Sequence, residues 1–69
     1  MTTKMTLQEA RQVLGLFPTD EVEKQGLEDL RTAEVRLLEV TSNEVEQQSC
    51  KLWIKAIDTM LKFRDYAIA

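Results

Sequence analysis

Cys50 is the only strong nucleophile in the chain, and the chain holds no histidine that could activate it. Thiolate chemistry needs a lowered thiol pKa, which a neighbouring imidazolium or other positive group supplies. Cys50 opens the stretch "CKLWIKAIDTMLKF" and lies among apolar neighbours, where a thiol stays protonated. It reads as filler for a core or an interface rather than as a catalytic or redox group. The lack of histidine also removes the commonest zinc ligand and the commonest general base. A single cysteine forms no internal disulfide and fits a reducing compartment. Glu28 and Asp29, or Glu44 and Glu46, are carboxylate pairs by sequence. Residues one or two apart diverge on a helix, so neither pair makes a site, and both read as solvated surface. Gly15 and Gly26 stand too far apart to cradle a phosphate in one loop. Trp53, between Leu52 and Ile54, reads as a core anchor before a ligand platform, and Tyr66 as a rim residue. The expectation is a non-enzyme with no catalytic residue, cofactor, metal or small-molecule substrate.

Charge narrows the partners. The formal net charge is −3 over 69 residues. It is concentrated in residues 20–49, where nine acids face Lys24, Arg31 and Arg36, while residues 50–69 are mildly basic. No basic footprint for nucleic acid emerges. The opening "MTTKMTLQEA" lacks the apolar run of a secretion signal, and no stretch approaches membrane-span length. The expected location is cytoplasmic, with a protein partner rather than a nucleic acid or a membrane.

Three helices must position whatever surface acts. Thr6 with Glu9 forms a capping box, followed by Leu7, Ala10, Leu14 and Phe17 at helical spacing, with Val13 beside them. Gly15 is the stop, through its tolerance of the left-handed conformation. After "FPT", Thr19 caps a second helix whose first turn carries Asp20, Glu21 and Glu23, acids that favour a helix N-terminus. Leu27, Leu30, Ala33, Leu37 and Leu38 carry its apolar face to about Val40. Gly26 inside it costs roughly 1 kcal/mol relative to alanine; a close helix–helix contact or a bend would account for it. "TSN", residues 41–43, breaks the pattern, and Asn43 with Glu46 resembles a second capping box. A joint this short folds the two long helices back as an antiparallel hairpin. The reading is one all-α domain: a short N-terminal helix plus a long antiparallel helical hairpin, a three-helix bundle with helices at about 6–15, 20–40 and 43–67.

The third helix is apolar over more than one stripe. Lys51, Lys55, Asp58, Lys62 and Asp65 group on one side, with Asp58 and Lys62 as an i,i+4 pair. Leu52, Trp53, Ile54, Ala56, Ile57, Met60, Leu61 and Phe63 fill an arc of roughly 200° at about 100° per residue, against about 100° for a surface helix. Either this helix is central and touches both others, or part of the arc overflows the monomer. In the second case Cys50, Ile54, Leu61 and Ile68, which fall on one edge, form a contact surface, most simply a homodimer's. Arg64 points into the apolar arc and either pairs with Glu23 at the open end of the hairpin or joins the partner contact.

"ARQVLGLFPT", an amphipathic helix, a joint and "WIKAIDTML" together resemble the layout of a J-domain, in which a short first helix precedes two long antiparallel helices. The likeness spans most of the chain. It implies a degenerate J-like co-chaperone scaffold acting through protein contacts. The joint reads "VTSNEV" and lacks the family's His-Pro-Asp signature, and the second helix is acidic where the family's is basic. Stimulation of a chaperone ATPase is therefore not implied. The functional expectation is a protein-interaction or regulatory module working through the edge of its third helix. A structural subunit of a larger assembly is the alternative.

Overall fold

The computed structural model describes residues 4–67. Three α-helices follow one another: α1 (Leu7–Val13), α2 (Lys24–Val40) and α3 (Glu44–Lys62). The architecture is all-α, as the apolar periodicity predicts. α3 packs against both α1 and α2, while α1 and α2 do not pack on each other. A central α3 accounts for much of its wide apolar arc, since two neighbours on different sides each need a stripe.

Local chemistry explains α1. The Thr6 hydroxyl accepts from the Glu9 N–H at 3.1 Å, and the Thr6 N–H donates to the Glu9 carboxylate at 3.3 Å. At the other end Gly15 sits at φ 73°. The Leu16 N–H donates to the Arg11 carbonyl at 2.8 Å and the Gly15 N–H to the Gln12 carbonyl at 3.0 Å. These two bonds make a Schellman motif. Asn43 caps α3 as expected, accepting from the N–H groups of Val45 and Glu46. The capping box is not completed there, because the Glu46 carboxylate instead accepts from the Thr41 hydroxyl.

Two expected boundaries are corrected. α2 begins at Lys24 rather than near residue 20, and α3 ends at Lys62 rather than near 67. The reason is tertiary. Residues 17–20 form a turn in which the Asp20 N–H donates to the Phe17 carbonyl and the Asp20 carboxylate accepts from the Phe17 N–H. Val22 packs on the core, and its carbonyl accepts from the Ala67 N–H at 2.7 Å. Glu23 and Ala67 form a parallel bridge. The chain after α3 must turn back to make this pairing. It does so through a second Schellman motif, with Arg64 N–H to Leu61 carbonyl and Asp65 N–H to Met60 carbonyl. Arg64 takes the left-handed position at φ 53°. Lys24, the first residue of α2, holds its ammonium 5.9 Å from the Tyr66 ring centroid, which favours the returning tail.

The fully buried core cluster is Ala10, Leu27, Ala56, Ile57 and Met60. It draws on all three helices and lies at the open end of the hairpin. Ala10 and Ala56 are small enough for α1 and α3 to approach closely. Among the described residues, Cys50 is the fully buried side chain of the turn half.

Gly26 is corrected as well. A β-carbon there would meet nothing within 4 Å, and α2 runs through it unbroken, so no close contact explains the glycine. Gly26→Ala is expected to stabilise the fold by about 0.5–1 kcal/mol, since alanine restricts the unfolded chain and suits a helix interior. Arg64→Gly should act in the same direction by relieving a left-handed position that costs an L-residue roughly 1–2 kcal/mol. Urea denaturation of both variants checks this; a lower midpoint for either one contradicts the backbone reading of that site.

Candidate functional site

Helical phase places α1 on one side of the hairpin. At about 100° per residue, the buried Ala56 and Met60 lie on one flank of α3, facing α1. Asp58 lies on the opposite flank, where Arg31 of α2 reaches it at 2.7 Å and 3.4 Å. Both side chains of that pair are about half exposed, 44% and 50%, so the pair contributes little to stability. The hydrogen bond, and then the charge, of Asp58 hold the Arg31 guanidinium above its ordinary pKa.

α1 is too short to cover its side of the hairpin. It has seven residues against nineteen in α3, about 10 Å of helix against about 28 Å. On α3, Ala56 is covered, but Leu52 and Val45, about one and three helical turns nearer the hairpin joint, are not. Leu52 is 46% exposed and Val45 is 78% exposed. Across the hairpin, Leu37 and Val40 point away from the Arg31 flank and stand 43% and 79% exposed. Trp53 is half-buried and stands by phase between these side chains and the core line. The result is a set of exposed aliphatic side chains at the turn end, beyond the reach of α1.

The expected edge of α3 is placed differently. Cys50 is buried at 2% exposure and does not belong to an accessible edge. Its thiol pKa is raised, first by burial and then by the Glu34 carboxylate on α2, with a smaller contribution from Glu46. Leu61 is half-buried against the core cluster. Ile54 is half-buried and lines a shallow groove of about 440 Å³ with Leu38, between Lys51, Lys55 and Lys62. Ile68 lies outside the described residues. Cys50, Ile54 and Leu61 do share one line of α3, but that line faces α2. Counting directions around a single helix could not show which neighbour each direction meets.

Arg64 and Glu23 form no ion pair; among the described residues the ion pairs are Arg11–Asp65 and Arg31–Asp58. The early end of α3 makes Asp65 the paired residue and leaves Arg64 exposed. Asp58 is paired with Arg31 rather than with Lys62. Trp53 is less buried than expected, because it stands where α1 has already ended.

A larger concavity, about 1390 Å³, opens at the other end between α1, the connector at 15–21 and the residues after α3. At its centre Arg11 donates to Asp65 at 2.8 Å, to the Phe17 carbonyl at 2.8 Å and to the Asp20 carbonyl. These groups satisfy one another, so the concavity reads as a clamp that shapes the open end. Phe17, expected on the apolar face of the first helix, is instead 72% exposed at its rim. Among the described residues, no cluster of His, Cys, Asp and Glu could hold a metal ion, and no helix is long and apolar enough to cross a membrane.

Cys50 yields a pH prediction. A thiol whose folded pKa is raised loses its favourable protonated folded state as pH rises. Its contribution is fully present below the unfolded value, near 9.0, and is lost above it. Cys50 should react slowly with thiol reagents at neutral pH, at a rate set by opening of the fold. The parent should lose stability above about pH 9 more steeply than Cys50→Ala. Fast labelling of folded protein at pH 7 would place the thiol at the surface.

Comparison of the chain with protein-family models, with curated proteins and with solved structures finds no match.

Proposed function

We propose that the protein is a non-enzymatic protein-interaction module whose contact surface is the turn end of the α2–α3 hairpin. One observation carries this reading. Leu37, Val40, Val45 and Leu52 are all exposed at the turn end of the hairpin, beyond the reach of α1. Isolated exposed aliphatics are ordinary, but a grouped set beside a half-buried tryptophan marks a binding surface. Covering a valine or leucine stabilises a complex by about 1.5–3 kcal/mol per side chain at most, so four such groups form a meaningful anchor. The surface lies on both hairpin helices, rather than on the Cys50–Ile54–Leu61 edge alone. The J-like layout is compatible with such a role, but the joint Thr41-Ser42-Asn43 offers no histidine, and no ATPase stimulation is proposed.

Val45→Asp and Val40→Lys test the reading. Their charges suit a helix N-terminus and a helix C-terminus respectively, so neither should unfold the chain. Both variants should keep the parent's circular dichroism and melting transition while losing association, with itself or with a partner captured by the parent. Retained association in both variants would remove this face from consideration.

A further inference from the structure

We infer that the chain forms a symmetric dimer through the flank of the hairpin that carries the Arg31–Asp58 pair, with α2 of each copy lying along α3 of the other. This goes beyond the turn-end reading and does not rest on it.

The flank holds two ridges of opposite charge. At about 100° per residue, the direction that runs on α2 from Leu38 through Arg31 continues to Val35, Glu28 and Glu39. On α3 the direction from Ile54 through Asp58 continues to Lys51, Lys62 and Lys55. The bond between Arg31 and Asp58 shows that both rotations reach the same side of the hairpin. Glu28, Glu39, Lys51, Lys55 and Lys62 are all exposed. None of them belongs to either ion pair formed among the described residues. Between the ridges lies the shallow groove floored by Leu38 and Ile54. Two further charges border the flank. Lys24, at the open end, is held at the Tyr66 ring. Glu44, at the start of α3, lies beyond the level at which α2 ends.

The ridges match in length. Glu28 and Glu39 are 11 residues apart, as are Lys51 and Lys62, about 16 Å in either helix. The Arg31–Asp58 contact sets Glu28 level with Lys62, and Glu39 level with Lys51, to within about one residue. A two-fold axis along the groove lays α2 antiparallel on α3 of the second copy. Glu28 then meets Lys62 and Glu39 meets Lys51, each twice, and Arg31 faces Asp58 of the second copy. A two-fold axis across the groove would instead set Glu28 against Glu39 and Lys51 against Lys62. Opposed like charges cost affinity, so charge selects the first arrangement. The half-buried Val35, Leu38 and Ile54 are covered in it, and an isologous contact closes at two copies.

Sedimentation of the full chain across a range of concentrations tests this. The parent should pass from monomer to dimer, with a Kd that rises several-fold as salt increases. Lys51→Glu with Lys62→Glu should weaken the dimer at least about tenfold, and so should Glu28→Lys with Glu39→Lys. The quadruple variant carrying all four changes keeps the parent's net charge and should recover the dimer. Circular dichroism checks that each variant is folded. If the quadruple variant is not folded, an equimolar mixture of the two double variants replaces it and should give a one-to-one complex.

A parent that stays monomeric throughout overturns the inference. So does undiminished association in either double variant, or failure of the exchange to restore it. Variants that change the melting transition but not the association would show the ridges pairing within one chain, which also overturns it. The turn-end contact is scored separately, by adding Val45→Asp to Lys51→Glu with Lys62→Glu, where this flank no longer associates. Either reading can thus fail while the other stands.

Discussion

Ile57→Ala is expected to remove a large share of the protein's stability at 25 °C. Ile57 has no exposed surface and sits in the one cluster that joins all three helices, with Ala10, Leu27, Ala56 and Met60. Cutting isoleucine to alanine removes buried methyl groups and leaves a cavity, at a cost of about 2–5 kcal/mol. A chain of 69 residues has a total stability of only about 3–10 kcal/mol. The loss is therefore a large fraction of the whole. Trp53→Ala should cost less than Ile57→Ala, although tryptophan is the larger side chain, because Trp53 is only half-buried and lies outside the cluster. Urea denaturation of parent and both variants checks the ranking. An Ile57→Ala midpoint close to the parent's, or a larger loss for Trp53→Ala, would move the centre of the core toward the turn.

Arg11→Met should release the open end of the molecule at a cost of about 2–4 kcal/mol. Its guanidinium, with the side chain only 15% exposed, ties α1 to two segments: Asp65 after α3, and the connector before α2 through the Phe17 and Asp20 carbonyls. Charge-assisted bonds of this kind contribute roughly 1.5–3 kcal/mol each at most. Removing them together leaves two carbonyls and a carboxylate to find water. Arg11→Lys should recover little, since one ammonium cannot span donors that a planar fork aims in separate directions. Amide exchange gives the specific readout. Protection at the Ala67 and Asp20 N–H groups should fall in Arg11→Met, while protection along the centre of α3 falls less. Unchanged protection at Ala67 would show that the Val22–Ala67 pairing stands without the clamp.

Some of this was legible in the residues themselves. Thr6 and Glu9 start α1, Gly15 ends it and Asn43 starts α3, because each device works within a few positions through its own backbone. The apolar repeats on either side of "TSN" determine that two long helices fold back on each other. The excess width of the apolar arc on α3 foretold either a central helix or an exposed face, and α3 is central with part of the arc exposed. What local signals could not decide is where neighbours begin and stop. The acids at Asp20, Glu21 and Glu23 argue for a helix from residue 20, yet Val22 is drawn into the core and pairs with Ala67 from the far end of the chain. The periodicity of α3 runs on past Lys62, yet Asp65 is claimed by Arg11 from α1 and the chain turns at Arg64. Periodicity along one helix tells which directions are apolar. Whether a direction is buried depends on the length of the helix lying against it, and that length is a property of α1. Seven residues of α1 cover Ala56 and Met60 but not Leu52 and Val45, and that shortfall, set by tertiary packing, places the candidate surface.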